Sequence, residues 1–526
     1  MSARSINLAD ILEQMADSVP ERLAVVTEDH EYTYAQLDER ATRLAHHLVA
    51  EGVKPDDHVA IHAVNCIEWV EAFFACFKAR AVPINVNYRY VRNELKHVYA
   101  DSGAVMTIVA PDYVGAVEEI RPELPELKRV LVMGEDYERA IAEAPTNRQL
   151  EPRSGDDHYI VYTGGTTGLP KGVLWRQEDI VLAALNALRY GAPLERVEKL
   201  GEEAAANENP VRMITAGPLM HGGSQWILGN CLVAGATYIM YTRRSYDAEA
   251  YLDLAEKAKS NSLTVLGDAM ARPLADALLA QPDRWDLSNV FVVSNGAAPL
   301  SEGVRAQLRQ VLPNCIMNDS YGASESGATG TRIDDGESRT APVFNVGPDV
   351  MVVDAKLSPL GAGEVGMLAR SGHIPLGYLN DPDKTAKTFK EIDGKRWAIP
   401  GDAARVEEDG SITVLGRGST TINTGGEKVH PEEVEGVLME HPAVQDAAVV
   451  GTPHERWGEQ VTALVQVRDG VEITAAELDV HVREHIAGYK SPKEILFVPQ
   501  VPRTPVSKVD YPATLSKALE LLGLQD

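Results

Sequence analysis

The run Tyr159-Ile160-Val161-Tyr162-Thr163-Gly164-Gly165-Thr166-Thr167-Gly168-Leu169-Pro170-Lys171-Gly172 concentrates groups that hold an anion. An apolar strand enters a loop of Gly and Thr that closes on Pro-Lys-Gly. Glycine lets consecutive backbone N–H groups turn toward one centre. The hydroxyls of Thr163, Thr166 and Thr167 add donors, and Lys171 adds a positive charge. These features suit a polyphosphate cradle better than a flexible surface loop. The spacing is not that of a Walker A loop, which needs Gly-Lys-Ser/Thr after four spacer residues. Here Pro170 precedes Lys171 and Gly172 follows it. The chain has 77 Asp+Glu against 50 Lys+Arg, a formal net charge of -27. That balance argues against a general nucleic-acid or anionic-membrane surface. An anionic cofactor therefore needs a local basic pocket.

The loop resembles the phosphate-binding signature of the adenylate-forming superfamily, which includes acyl-CoA synthetases, luciferases and peptide-synthetase adenylation domains. Further signatures follow in the family's order, so the resemblance covers nearly the whole chain. Pro218-Leu219-Met220-His221-Gly222-Gly223 resembles the motif whose His lies beside the acyl and phosphate groups. Asn295-Gly296-Ala297-Ala298-Pro299-Leu300 resembles the wall of the adenine and acyl pocket. Tyr321-Gly322-Ala323-Ser324-Glu325 resembles the tyrosine–glycine–threonine–glutamate motif. That match implies Tyr321 on adenine, Ser324 on phosphate and Glu325 on Mg²⁺, a hard cation that prefers carboxylate oxygen. Asp402, closing Trp397–Asp402, is implied as acceptor for the ribose hydroxyls, and Arg417 as a ribose or phosphate contact. Gly425, Gly426 and Glu427 resemble the loop shaping the CoA tunnel, and Pro502–Lys508 the motif carrying the catalytic lysine, Lys508.

The implied reaction joins a small-molecule carboxylic acid, ATP and coenzyme A through an acyl-adenylate, with Mg²⁺ as cofactor. His221, Glu325 and Lys508 are its expected catalytic residues. Three departures stand out. Ser507 precedes Lys508 where the family usually has Gly. Ser419 occupies the hinge position, commonly Asp or Lys, and Thr420-Thr421 follow it. Trp175-Arg176-Gln177 replaces a threonine–histidine–arginine stretch and is similar to actinobacterial acyl-CoA synthetases for steroid side chains or other bulky acids. Gly223 stands where luciferase-like relatives often carry an aromatic, which predicts a wide acyl pocket, with Trp226 and Met270 as lining residues and Asp268 more structural than polar contact. A peptide-synthetase module is disfavoured: eighteen residues follow Lys508, and Met220–Trp226 contains no Asp for an ammonium. A ligase that stops at acyl-AMP and a non-catalytic adenylate-binding protein are the alternatives. Retention of Lys171, Glu325, Asp402, Arg417 and Lys508 speaks against the second.

The elements positioning these residues read as α/β. Helices are expected at Asn7–Met15, Thr33–Val49 and Cys66–Ala79, and strands at Leu23–Thr27, Val59–Ala63, Ala81–Asn85, Met106–Ala110 and Val130–Val132. This alternation predicts largely parallel sheets. The segment Leu194–Glu208 lacks a clear apolar face and reads as a solvated insertion, helical or mobile. Beyond Asp354 the strands shorten, and Asp409-Gly410 signals a hairpin. An αβ pattern follows: helix Pro431–Met439, strands Val444–Val450 and Gln460–Val467, helix Ala475–His485. The division predicted is a large N-terminal domain, 1–416, of α/β subdomains plus a β-rich subdomain, and a small mobile α+β domain, 417–526. A length of 526 residues exceeds what one core supports. Cys66, Cys76, Cys231 and Cys315 lack metal-ligand spacing and read as buried free thiols, in keeping with a cytoplasmic location. Neither a signal peptide nor a transmembrane segment is expected. A homodimer is left open.

Overall fold

The computed structural model describes residues 4–163, 169–189, 192–298, 300–334, 336, 342–417, 420, 422–424, 427–454, 458–486, 488–504 and 508–524. Local signals set the first helices. The Asn7 side chain accepts from the Asp10 N–H and opens Leu8–Ser18, and a Thr33/Gln36 capping box opens Tyr34–Ala50. The strands Val82–Asn85, His58–His62, Met106–Val109 and Arg129–Val132 form a wholly parallel sheet. The near-continuous burial of the first three reflects helices on both faces, while the edge strand Arg129–Val132 is only partly covered.

A longer sheet has Glu31–Thr33 at its edge, antiparallel to Leu23–Val26, and continues from there in parallel through Thr237–Met240, Arg212–Thr215, Ser262–Val265, Val292–Gly296 and Ile316–Ala323. It turns antiparallel at Gly327–Ile333 and Val343–Val346 and passes into the β-rich part. There Asp402–Val406 and Ile412–Arg417 form the expected hairpin, with Gly410 at φ 84° in its turn. The crevice outside the carboxyl ends of parallel strands is where open α/β sheets bind ligands. Gly296 and Ala323 end two such strands.

The last hundred or so residues form a separate mixed sheet from Ile422–Thr424, Glu427–Val429, Val444–His454, Gly458–Val467 and Glu494–Phe497. Its own core includes Val437, Leu438, Val449, Val461, Leu478 and Val482. It meets the rest at helix Glu302–Val311, where a Cβ on Gly303 would lie 3.5 Å from the Met439 carbonyl oxygen.

Two expectations are corrected. The charged stretch 194–208 is not a solvated insertion. It contains helix Val197–Ala206, which buries Val197, Leu200, Gly201 and Ala204 and brings Gly201 against Gln14 and Ser18 of the first helix. Half of its buried face, Gly201 and Ala204, is made of small residues. Of the cysteines, Cys76 and Cys231 are buried, but Cys66 and Cys315 are only partly covered; all four are free thiols. Among the described residues no helix is long and apolar enough to cross a membrane.

A buried polar brace ties helix Glu302–Val311 to the strands Val292–Gly296 and Ile316–Ala323. Arg305, 1% exposed, donates to Asp319 Oδ2 at 2.6 Å. Asn295 Nδ2 donates to Asp319 Oδ1 at 3.0 Å, and Asn295 Oδ1 accepts the Gly267 N–H at 2.8 Å. Removing one partner of a buried ion pair typically costs about 3–5 kcal/mol. Asp319→Ala should therefore destabilise the N-terminal transition in urea by about that amount. A loss below about 1 kcal/mol, the range of an exposed pair, would show that the brace is not structural.

Candidate active site

The expected site residues converge from several elements. Thr163 ends strand His158–Thr163, and Lys171 begins Lys171–Arg176 directly opposite it. The two therefore flank the base of the Gly/Thr loop. Gly164, Gly165, Thr166, Thr167 and Gly168 lie outside the described residues, as do Ser419, Gly425 and Gly426. Lys171 is hydrogen-bonded and ion-paired to Asp381. Asp381 also caps helix Pro382–Thr388 by accepting the Lys384 N–H at 2.8 Å. The Lys171 hydrogen bond, then that cap, hold the Asp381 carboxyl below its ordinary value.

Asn85 clamps this hairpin to the His221 segment. Its Nδ2 donates to the carbonyls of Tyr162 at 2.9 Å and Met220 at 2.6 Å, and its Oδ1 accepts the Tyr162 N–H at 2.8 Å. Asn65 fixes the same segment from behind, accepting from Leu219 N at 2.7 Å and donating to Gly217 O at 3.1 Å. His221 is the N-cap of helix Gly222–Val233. A Cβ on Gly222 would lie 3.0 Å from Val161 and 3.8 Å from Ser324 Oγ, so three motifs meet there. Trp175, fully buried, donates to the Ser324 carbonyl at 3.0 Å. The unusual tryptophan thus braces the Ser324 segment. Gln177 serves the scaffold instead, accepting the Leu8 N–H at 3.0 Å.

The Tyr321–Glu325 segment is bent sharply. A Cβ on Gly322 would stand 2.3 Å from the Gly327 carbonyl oxygen, so only glycine fits there. Glu325 is buried, and the Tyr378 hydroxyl donates to its Oε1 at 2.7 Å. The Tyr321 hydroxyl donates to Asp402 Oδ2, joining the two residues expected on adenine and ribose. Arg417 pairs with Asp402 in the strand register. Gly296 ends its strand beside Ser320, Ala297 holds a left-handed φ of 63°, and Ala298 follows half-buried. A non-glycine in that region stores strain and is over-represented at ligand sites. Glu427 opens the strand Glu427–Val429 on the C-terminal sheet.

Lys508 is exposed and sits in a turn closed by Thr504 N–H to Lys508 O at 2.8 Å. Its charge nevertheless acts on the buried imidazole of His221. Burial, then Lys508, then Arg89 push the His221 pKa down to about 3. Lys508, on the C-terminal unit, is therefore within electrostatic range of His221. His221 Nε2 is buried with no hydrogen-bond partner among the described residues.

Several contributors were not singled out from the sequence: Asn65, Asn85, Arg89, Tyr378 and Asp381. None lies in a motif; only the basic-aromatic run Asn87-Tyr88-Arg89-Tyr90 gives a local hint. Two acyl-side expectations also resolve. Asp268 is structural, accepting Ser301 N–H at 2.8 Å and Ser301 Oγ at 2.6 Å. Met270 belongs to the core with Leu274 and Val293 rather than lining a pocket, whereas Trp226 is half-buried. Gly223 is exposed and a Cβ there would meet nothing within 4 Å.

Comparison with known proteins agrees with this arrangement. The family model for AMP-binding enzyme matches residues 12–379, and that for the AMP-binding enzyme C-terminal domain matches 433–508. The chain belongs to the AMP-binding, adenylate-forming enzyme family. It is 44% identical over 530 residues to 3-oxocholest-4-en-26-oate–CoA ligase of Rhodococcus rhodochrous, covering 96% of this chain and 95% of that one. It is 43% identical to the medium/long-chain-fatty-acid–CoA/3-oxocholest-4-en-26-oate–CoA ligase of Mycolicibacterium smegmatis, over 96% of this chain and 95% of that one. Among solved structures, ATP-bound MatB from Rhodopseudomonas palustris superposes with a TM-score of 0.83 at 26% identity, covering 98% of this chain and 99% of that one.

The depressed His221 pKa has a definite sign. Against a reference near 6.5, the folded imidazole accepts a proton only near pH 3. Its contribution to stability is complete above the unfolded value and is lost as pH falls from about 6.5 toward 3. In a ¹⁵N-labelled sample His221 should remain neutral at pH 5, while an exposed histidine is mostly protonated. Half-protonation of His221 near pH 6.5 would contradict the buried environment.

Proposed function

We propose that the chain is an ATP-dependent, AMP-forming acyl-CoA ligase acting on a bulky hydrophobic acid, either a steroid side-chain acid or a medium- to long-chain fatty acid. The observation that carries this reading is the convergence of the phosphate-loop hairpin, His221, Glu325 and Lys508. In the first half-reaction a carboxylate oxygen attacks the α-phosphorus of ATP and pyrophosphate leaves. Little covalent work falls to the protein, so orientation and charge stabilisation dominate. Thr163 and Lys171, with Gly164–Gly168 between them, would hold the phosphates. Lys171 reaches them by leaving Asp381. Tyr321 and Asp402 would exchange their mutual hydrogen bond for adenine and ribose, with Gly296–Ala298 as the pocket wall and Gly322–Ser324 approaching phosphate. Arg417 adds a ribose or phosphate contact.

Neutral His221 donates or accepts one hydrogen bond without adding charge. Lys508 supplies the cation at the developing negative charge. Glu325 is a fitting Mg²⁺ ligand: it is a buried carboxylate held in place by Tyr378. The ion would supply charge neutralisation at the phosphates. In the second half-reaction the CoA thiol attacks the acyl carbonyl and AMP leaves. We assign residues 1–416 to the adenylation body and 417–526 to a unit that reorients between steps about Ser419. Gly425, Gly426 and Glu427 then shape the CoA path. Free thiols at all four cysteines support placing the enzyme in the reducing cytoplasm.

The acid specificity rests on the open space at Gly223 and on the names borne by the relatives. Each CH₂ buried in an apolar pocket contributes about 0.8 kcal/mol, which favours large acids. Measured as CoA-dependent AMP release, kcat/KM should be highest for a steroid side-chain acid or a medium- to long-chain fatty acid and lowest for acetate and benzoate. Gly223→Phe should lower turnover of the bulky acids selectively, by about 10-fold or more, equivalent to about 1.4 kcal/mol. Best activity on acetate, or bulky-acid turnover untouched by the phenylalanine, would contradict the pocket assignment. AMP release that ignores CoA would favour a ligase that stops at the adenylate.

A further inference from the structure

Helix Ala475–His485 places His481 and His485 one turn apart on a common face. Glu440, the last residue of Pro431–Glu440, faces them. One ligand atom from each of these three residues lies within 4.8 Å of the other two. His485 Nε2 stands 3.9 Å from Glu440 Oε2, and the two imidazole centroids are 4.4 Å apart.

Both rings are held by their other nitrogen. His481 Nε2 bonds the Val437 carbonyl at 2.9 Å, and His485 Nδ1 bonds the His481 carbonyl at 2.7 Å. A carbonyl only accepts, so those nitrogens carry the protons. Nδ1 of His481 and Nε2 of His485 are then left with lone pairs. Donation of the second ring N–H to a backbone carbonyl is the usual way a protein orients metal-binding imidazoles. The surroundings are acidic. Glu302 adds to the field on Glu440 from across the seam, while Glu477 and Glu484 act on His441 and His481. Glu302 Oε1 accepts from Arg332 at 3.1 Å, while its Oε2 is buried with no hydrogen-bond partner among the described residues, 3.7 Å from Arg309.

We propose that Glu440, His481 and His485 bind one divalent transition-metal ion of the zinc class, at a site separate from the nucleotide and its Mg²⁺. Two imidazoles and one carboxylate suit Zn²⁺, Co²⁺ or Ni²⁺, whereas Mg²⁺ prefers oxygen alone. All three ligands belong to the C-terminal unit, and the site lies on its seam with the N-terminal body. A Cβ on Gly303 would stand 3.8 Å from Glu440 Cα.

The test is a Co²⁺ titration of the untagged full-length protein in saturating Mg²⁺, followed by visible absorption and calorimetry. One Co²⁺ per chain is expected, displaced by Zn²⁺. His481→Gln/His485→Gln and, separately, Glu440→Gln should each weaken binding by more than about 10-fold, the lower end of what loss of a mere outer partner does. Both variants should keep the metal-free Tm of the parent. Zn²⁺ should raise the Tm of the parent and not of the variants. Absence of Co²⁺ uptake by the parent, or equal uptake by parent and variants, overturns the assignment.

Discussion

The proposed site depends on bringing a cation carried by one unit to a partly buried, uncharged imidazole carried by another. Lys508 lies near the end of the chain, yet its charge is felt by His221 in the N-terminal body. Such an approach requires that the C-terminal sheet dock in a defined place, which it does against helix Glu302–Val311. The turn holding Lys508 is itself anchored, since Arg503 at its start donates to Asp446 at 3.0 Å.

The N-terminal half of the site is stiffened by side-chain amides. Asn65 and Asn85 each satisfy backbone groups of separate segments, so the phosphate-loop strand and the His221 turn cannot drift apart without stranding buried polar atoms. The groups proposed to face ligand behave differently. Lys171 with Asp381, and Tyr321 with Asp402, hydrogen-bond one another. On the proposed function, substrate replaces these partners. That exchange reduces net affinity, and it selects molecules that reproduce every displaced hydrogen bond.

Much of this was legible in the sequence where the signal is local. The helix Ala475–His485 has the predicted ends, because Thr474 and Glu477 form a capping box at its start. The Asp409-Gly410 hairpin required a residue at positive φ, and glycine supplies it. The burial of helix Val197–Ala206 was not legible because half of its buried face, Gly201 and Ala204, consists of small residues that hydrophobic periodicity underweights. Asn65, Asn85 and Asp381 were missed for a different reason. Their partners lie 77 to 210 positions away in the chain, and nothing local marks an asparagine that will clamp two loops. Met270 shows the reverse error: an apolar residue near a motif was taken for pocket lining, and packing put it in the core.

The central claim is that Lys508 acts only while the C-terminal unit presents it to His221, and the direct measurement separates the two half-reactions of Lys508→Ala. Adenylate formation, followed by single-turnover release of pyrophosphate, should slow by about 100-fold or more, the scale of losing one preorganised charge-stabilising group. Thioester formation from supplied acyl-adenylate and CoA should proceed at the parent rate. Equal loss in both half-reactions, or none in the first, would contradict the account.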